Sequence, residues 1–368
     1  MQHIDSRLFK GKAIIILGAR QVGKTTLVRT YLNEFRNEAI YFNCDEPDIR
    51  TSFTNVTSTR LNQITGDKKL VIIDEAQRIE NIGLSLKLLI DNYPEKQLLV
   101  TGSSSFELSN RINEPLTGRM VEFRLHPLSF GEIKNHYGEL EARRLLEQQM
   151  LYGMYPEIVE HPEKAREIIL DLTSGYLYKD IFNWQDIRKP ELLEKLLKAL
   201  ALQVSHQVSY NELSILLEVR RETIITYLQL LEKVFVIFRL GTFSRNLRNE
   251  LNKKQKIYFW DTGVRNALIG NFAPIENRPD AGALWENYII AERLKFLNNN
   301  KDYSASFYWR THQQQEIDYI EERDGFLKAF EVKWNIKKKV SFPKTFTNTY
   351  PDAACRIITP DNYIDFVS

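Results

Sequence analysis

Apolar residues in the first hundred positions fall in short runs without alternation: Ala13 to Leu17, Ala39 to Asn43, Leu70 to Ile73 and Leu98 to Thr101. Longer mixed segments with helical spacing separate them. The pattern predicts βαβ units, a parallel sheet covered by helices, and Leu70-Val71-Ile72-Ile73 reads as a central strand buried on both faces. From about Leu140 to Leu240 the period changes. Leu192, Leu193, Leu196, Leu197 and Leu200 make one apolar stripe at helical spacing, so a helical middle region is expected. Within it, Ser209 to Leu217, a break at Glu218 to Arg221, and Thr223 to Leu231 read as a helix-turn-helix. Phe235 to Leu240 and Lys256 to Trp260 would supply a β-wing, with Tyr258 and Trp260 as its core. Pro274 to Gly282 reads as a linker. A helix, Ala283 to Leu297, and strands at Ser304 to Arg310, Glu316 to Glu321 and Phe326 to Val332 follow. The expected fold class is α/β, divided as a parallel-sheet domain over 1–135, a helical and winged helix-turn-helix domain over 136–272, and a small α/β domain over 273–368.

A chain of 368 residues fits that division. Its composition, 43% hydrophobic and 27% charged, is that of an ordinary globular protein, and no apolar run approaches the length of a membrane span. The charged N-terminal stretch lacks the apolar segment of a secretory signal, so a cytoplasmic location is expected. Cys44 and Cys355 are the only cysteines, which excludes a disulfide framework and a cysteine-based zinc site and leaves oxygen ligands for any metal. The six histidines show no metal-ligand spacing. A net charge of +2 means that nucleic acid must be held by local patches and not by the field of the whole molecule.

Gly18-Ala19-Arg20-Gln21-Val22-Gly23-Lys24-Thr25 matches GxxxxGK[ST] between an expected strand and an expected helix. Glycines let main-chain amides wrap phosphates, Lys24 reaches the β- and γ-phosphates, and Thr25 ligates Mg2+, so residues 18–25 with Thr26 are read as the ATP site. Asp74-Glu75 closes the run Leu70 to Ile73, where open α/β sheets bind ligands. Asp74 is expected to hold Mg2+ and Glu75 to orient or deprotonate the attacking water. Thr101-Gly102-Ser103-Ser104-Ser105 ends the next strand, and Ser103 is the choice for a hydroxyl beside the γ-phosphate, against an ordinary Ser-rich turn. Of Arg111 and Arg119, Arg119 in its Leu-Thr-Gly-Arg turn is the better candidate for stabilising the transferring phosphoryl group, in cis or in trans. A trans role would require a homo-oligomer.

Glu222 to Lys233 would be the recognition helix, introduced by Arg220 and Arg221. The wing after it carries Arg239, Arg245, Arg248, Lys253, Lys254 and Lys256 against Glu250 alone. That is a footprint for duplex DNA, with Arg220, Arg221, Arg245, Arg248, Lys253 and Lys254 as contact candidates; the alternative is a contact between domains or subunits. On the expected strand Glu331-Val332-Lys333, period 2 puts the carboxylate and the ammonium on one face. With Asp318 on the preceding strand and Glu286 on the helix before it, three carboxylates and a lysine could hold Mg2+ or Mn2+ for phosphodiester cleavage.

Walker A, Asp74-Glu75-Ala76-Gln77, Thr101-Gly102-Ser103, Gly118-Arg119 and Pro127-Leu128-Ser129-Phe130 with Glu132 resemble a group of prokaryotic AAA-type ATPases that carry a C-terminal domain of unknown function. The resemblance continues through Gly153-Met154-Tyr155-Pro156, Lys179-Asp180-Ile181 and Tyr258-Phe259-Trp260-Asp261-Thr262-Gly263, nearly the whole chain. The family's C-terminal domain is similar in pattern to PD-(D/E)XK nucleases, and the order and spacing of Glu286, Asp318, Glu331 and Lys333 follow that pattern. The resemblance implies a DNA-linked ATPase. The competing expectations are a nucleotide-driven signalling switch whose C-terminal modules contact proteins, and an ATP-regulated nuclease.

Overall fold

The computed structural model describes residues 2–102, 112, 114–177, 190–244, 255–311, 313–335 and 340–368. They divide into two compact units, Met1–His126 with Lys233–Phe235, and Pro127–Glu232 with Val236–Ser368.

In the first unit, strands β1 (Ala13–Gly18), β2 (Ala39–Asn43), β3 (Leu70–Asp74), β4 (Gln97–Gly102) and β5 (Met120–Leu125) form a parallel sheet in the order β2-β3-β4-β1-β5. Every residue of β1, β3 and β4 is buried, which is why these segments lack alternation. Ile14, Ile16, Val28, Tyr31, Leu70, Ile72 and Leu99 share one core with helix Lys24–Phe35. β3 is interior, but the middle strand is β4, lying between β1 and β3. The end of β4 therefore stands between the loop after β1 and the carboxylates after β3.

In the second unit, β6 (Gln207–Val208), β7 (Ile237–Thr242), β8 (Gln255–Phe259), β9 (Ala305–Arg310), β10 (Glu316–Arg323), β11 (Phe326–Val332) and β12 (Ala354–Ile358) form one sheet in the order β12-β11-β10-β9-β7-β8-β6. β7 and β9 pair in parallel through Gly241↔Phe307 and Thr242↔Tyr308, so strands from both sides of residue 272 belong to a single sheet. Phe243, just past β7, packs with Trp309, Ile317, Ile320, Ala329 and Phe346. Helices Tyr210–Leu216 and Arg221–Lys233 precede β7, and Glu218 turns the chain between them at φ +55°. Helix Ala281–Asn299 begins two residues before its expected start.

Two of the motifs singled out in the sequence turn out to be structural. Ser129 and Glu132 form a reciprocal capping box at helix Phe130–Tyr137. Asp261 caps helix Thr262–Ile269 through the Val264 N–H at 3.1 Å and accepts the Met154 N–H at 2.8 Å. A Cβ on Gly153 would lie 2.0 Å from the Asp261 carboxylate, and one on Gly263 would lie 2.0 Å from the Tyr152 carbonyl. The Gly153-Met154 and Asp261-Thr262-Gly263 segments therefore interlock, and both glycines are required by close approach. Among the described residues, no helix is long and apolar enough to cross a membrane.

Candidate functional site

Strand β1 ends in glycine because its neighbour leaves no room for anything larger: a Cβ at Gly18 would sit 2.2 Å from the Leu125 carbonyl oxygen of β5. The loop then turns through left-handed residues at Gln21 and Gly23, with φ +60° and +94°. Gly23 caps helix Lys24–Phe35 without a side chain, the condition under which first-turn amides can serve an anion. Ala19 and Val22 are buried against the unit, whereas Gln21 and Thr26 are exposed. Lys24 is buried and donates to the carbonyls of Gly18 at 2.9 Å and Ala19 at 2.6 Å.

The Asp74 carboxylate gathers three hydroxyls. Its Oδ2 accepts from Thr25 Oγ1 at 2.8 Å and from Tyr41 at 2.6 Å, and its Oδ1 accepts from Thr101. Burial, followed by the bond to Asp74, pushes the Tyr41 phenol well above its ordinary value, so it remains a donor. Glu75 adopts a left-handed backbone at φ +56°, donates its N–H to Thr101 Oγ1 at 3.1 Å and holds Gln77 by its carboxylate. Cys44 is fully buried, and burial with the charges of Asp74 and Glu75 pushes its thiol up to about 12, leaving it inert.

Lys24, Thr25, Asp74 and Glu75 are thus brought together as the sequence suggests. Ser103 and Arg111 lie outside the described residues. The hydroxyl found at the end of β4 is that of Thr101, which spacing alone could not single out because it requires β4 to run between β1 and β3. Arg119 is placed elsewhere. It precedes β5, whose first residue Met120 pairs with Ala13 at the start of β1, so it stands at the opposite edge of the sheet from the P-loop. A strand of that length puts roughly 20 Å between them. Its guanidinium pairs with Asp91 at 2.6 Å.

A second polar cluster lies in the other unit. Lys333 Nζ bridges Asp318 at 2.7 Å and Glu331 at 2.6 Å, and Asp318 also accepts the Val332 N–H at 2.9 Å. Lys256 Nζ bridges Glu286 at 2.9 Å and Glu316 at 2.6 Å, Tyr258 donates to Glu286 at 2.7 Å, and Arg310 pairs with Glu316 at 2.7 Å. Burial raises Glu286 to about 7; Lys256 opposes the shift and Asp318 adds to it. Burial and then Asp318 raise Glu331 as well. Of the four expected residues, Asp318 and Glu331 gather around the Lys333 ammonium, whereas Glu286 is held with Glu316 around Lys256. Among the described residues, no set of three His, Cys, Asp or Glu side chains is disposed to hold a metal ion. The added members Lys256 and Tyr258 carry no recognisable sequence signal, since β8 reaches the cluster only through the pairing of β7 with β9, while Glu316 stands on β10 with Asp318.

The basic footprint is smaller than its sequence implies. Lys256 is 1% exposed and ion-paired, and Arg239 pairs with Glu232 and Tyr210. Both turn inward because carboxylates wait for them there. Arg220 and Arg221 are exposed, while Arg245, Arg248, Lys253 and Lys254 lie outside the described residues.

A parallel sheet in this strand order, with a GxxxxGKT loop after β1 and Asp74-Glu75 after β3, defines an AAA-type P-loop domain. Residues 10–134 match the family model of an AAA domain, residues 143–274 match a domain of unknown function, DUF8612, and residues 281–364 match another, DUF4143. The chain is 28% identical over 335 residues to an uncharacterized protein of Mycobacterium tuberculosis, covering 89% of this chain and 71% of that one. It is 24% identical over 344 residues to an uncharacterized protein of Methanocaldococcus jannaschii, covering 86% and 74%. Among solved structures it is similar to a variant of Thermotoga maritima RuvB (16% identity, 64% of this chain and 85% of that one, TM-score 0.33). Another similar structure is Drosophila ORC bound to DNA (15% identity, 70% and 90%, TM-score 0.26).

Proposed function

We propose that the protein binds ATP with Mg2+ at the P-loop and hydrolyses it, and that its nucleotide state governs how the rest of the chain holds DNA. The observation that carries the first part is the meeting of Thr25 with Asp74 at 2.8 Å, with Glu75 next in sequence and Lys24 on the same turn. Thr25 and Asp74 offer hard oxygen donors of the kind Mg2+ takes. When bound there, the ion neutralises phosphate charge. Lys24 would exchange the Gly18 and Ala19 carbonyls for phosphate oxygens, and Glu75, leaving Gln77, would orient the attacking water. From its place at the far edge of the sheet, Arg119 would serve a neighbouring subunit's nucleotide, in a homo-oligomer.

The DNA part rests on an arrangement of elements. A short strand, two helices and an antiparallel pair, β6 to β8, follow one another as in a winged helix, and Arg220 and Arg221 are exposed at its second helix. On this reading residues 1–135 carry the ATPase, 136–272 the winged helix and 273–368 a nuclease-like segment. Turnover measured with and without several DNA forms, on wild type and Lys24→Ala, tests both parts. Loss of turnover by about a hundredfold in Lys24→Ala and a change of wild-type turnover on adding DNA are expected. Turnover indifferent to every DNA form would instead favour a signalling switch that contacts proteins. Reversing the charges of Arg245, Arg248 and Lys254 should lower the salt slope of DNA binding, and an unchanged slope would remove them from the interface.

A second reading, DNA cleavage at the C-terminal carboxylates, is favoured by the convergence of Asp318, Glu331 and Lys333. Its test is cleavage of branched and linear DNA with Mn2+ that disappears in Asp318→Ala.

A further inference from the structure

We infer that Tyr41 is a positioning residue of the magnesium side of the nucleotide site, holding Asp74 in the orientation that a cation at Thr25 requires. This rests on reading the P-loop as an ATP–Mg2+ site. Tyr41 lies on β2 opposite Ile72 of β3, two residues short of the Asn43↔Asp74 pair. Period 2 along both strands puts Tyr41 and Asp74 on one face, as diagonal neighbours. Ile72 shares its core with Val28 and Tyr31 of helix Lys24–Phe35, and Tyr41 packs against that core, so the face is the one the helix covers. The Arg29 guanidinium of that helix lies over the Tyr41 ring, 5.8 Å from its centroid. The ring is therefore held from one side while its hydroxyl reaches Asp74 Oδ2 at 2.6 Å.

The three hydroxyls on Asp74 come from three elements and do different work. Thr25, on the first turn after the P-loop, supplies the oxygen that faces a nucleotide-bound cation, and its proton goes to Oδ2. Thr101 fixes Oδ1 and also receives the Glu75 N–H. Tyr41 takes the remaining direction on Oδ2, from the side away from β4. Without it, Oδ2 would be held by Thr25 alone, the group that must also meet the cation. A carboxylate free to turn about its terminal bond presents its oxygens less often in the geometry that Mg2+, with its strict octahedral preference, accepts.

Tyr41→Phe removes the hydroxyl and keeps the ring beneath Arg29. Binding of a fluorescent ATP analogue to the full chain should be measured in EDTA and then against rising Mg2+, with Asp74→Asn as the variant that loses the Mg2+ response. Tyr41→Phe should bind the analogue in EDTA within about twofold of wild type, yet need roughly three- to tenfold more Mg2+ for the half-maximal response, the effect of one ordinary hydrogen bond. Turnover should recover as Mg2+ is raised, so the variant changes the Mg2+ requirement more than kcat. Coincident Mg2+ midpoints for wild type and Tyr41→Phe would overturn the assignment. An equal loss of affinity in EDTA would do so too, by showing that the tyrosine only supports the fold. A wild type without any Mg2+-dependent response would overturn the ATP–Mg2+ reading itself along with it.

Discussion

At Asp261 a single side chain does the work of two local structures. Its carboxylate caps helix Thr262–Ile269 and satisfies the Met154 N–H, more than a hundred residues earlier in the chain. A lost cap costs about 1 kcal/mol and a buried donor left unpaired about 1–3 kcal/mol, so Asp261→Ala should lower unfolding stability by roughly 2–4 kcal/mol in urea titrations. A loss below about 1 kcal/mol would mean that the Met154 segment finds another partner. The sequence displays Asp261-Thr262-Gly263 and Gly153-Met154-Tyr155-Pro156 as motifs without saying what they do. Neither carries catalytic groups in a useful spacing, and only their contact reveals a joint. Thr25 and Asp74 are the opposite case: residue type, spacing and place at a strand end each point to the same expected role, and they meet at hydrogen-bond distance.

At the scale of elements, the feature with a consequence in solution is the set of carboxylates over β8, β10 and β11. Folded Glu286 keeps its proton up to about 7, whereas an unfolded glutamate gives it up near 4.5. Between these values the folded chain binds more protons than the unfolded one, so this group's contribution to stability falls as pH rises through the interval. Glu331, raised in the same direction, adds to the slope. The urea midpoint should therefore increase from pH 7.5 to pH 5.5, and Glu286→Gln should flatten that dependence. A midpoint that decreases over the range would contradict the burial of these groups. The helix Ala281–Asn299 and the strands β10 and β11 were legible from periodicity and from the Glu-x-Lys pattern. The lysine arriving from β8 was not, since on β8 it reads as one more member of an exposed basic run.

At the scale of the whole molecule, the seven-stranded sheet decides which pieces of chain can stand alone. A cut at 272 would strip β7 of its partner β9 and Phe243 of Trp309, Ile317 and Phe346. Segments 1–272 and 273–368 made separately should each be digested by protease faster than the full chain, and mixing them should restore part of the protection. A 273–368 segment that resists protease by itself would show that β9 to β12 suffice as a core. The linker-like stretch Pro274 to Gly282 invites that cut because proline and glycine mark a chain reversal whether or not strands pair across it. What the amino-acid sequence determined unaided is whatever depends on near neighbours: the buried parallel strands, the phosphate loop with its lysine and threonine, and the carboxylates closing β3. Tertiary structure alone decided what depends on strand order and on packing between distant segments. It put Thr101 beside Asp74 by running β4 between β1 and β3, carried Arg119 to the far edge of its sheet, and turned Lys256 inward. The reason is physical: spacing along a chain specifies which face a side chain takes within its own element, whereas its partners across elements are set by the order in which the elements pair.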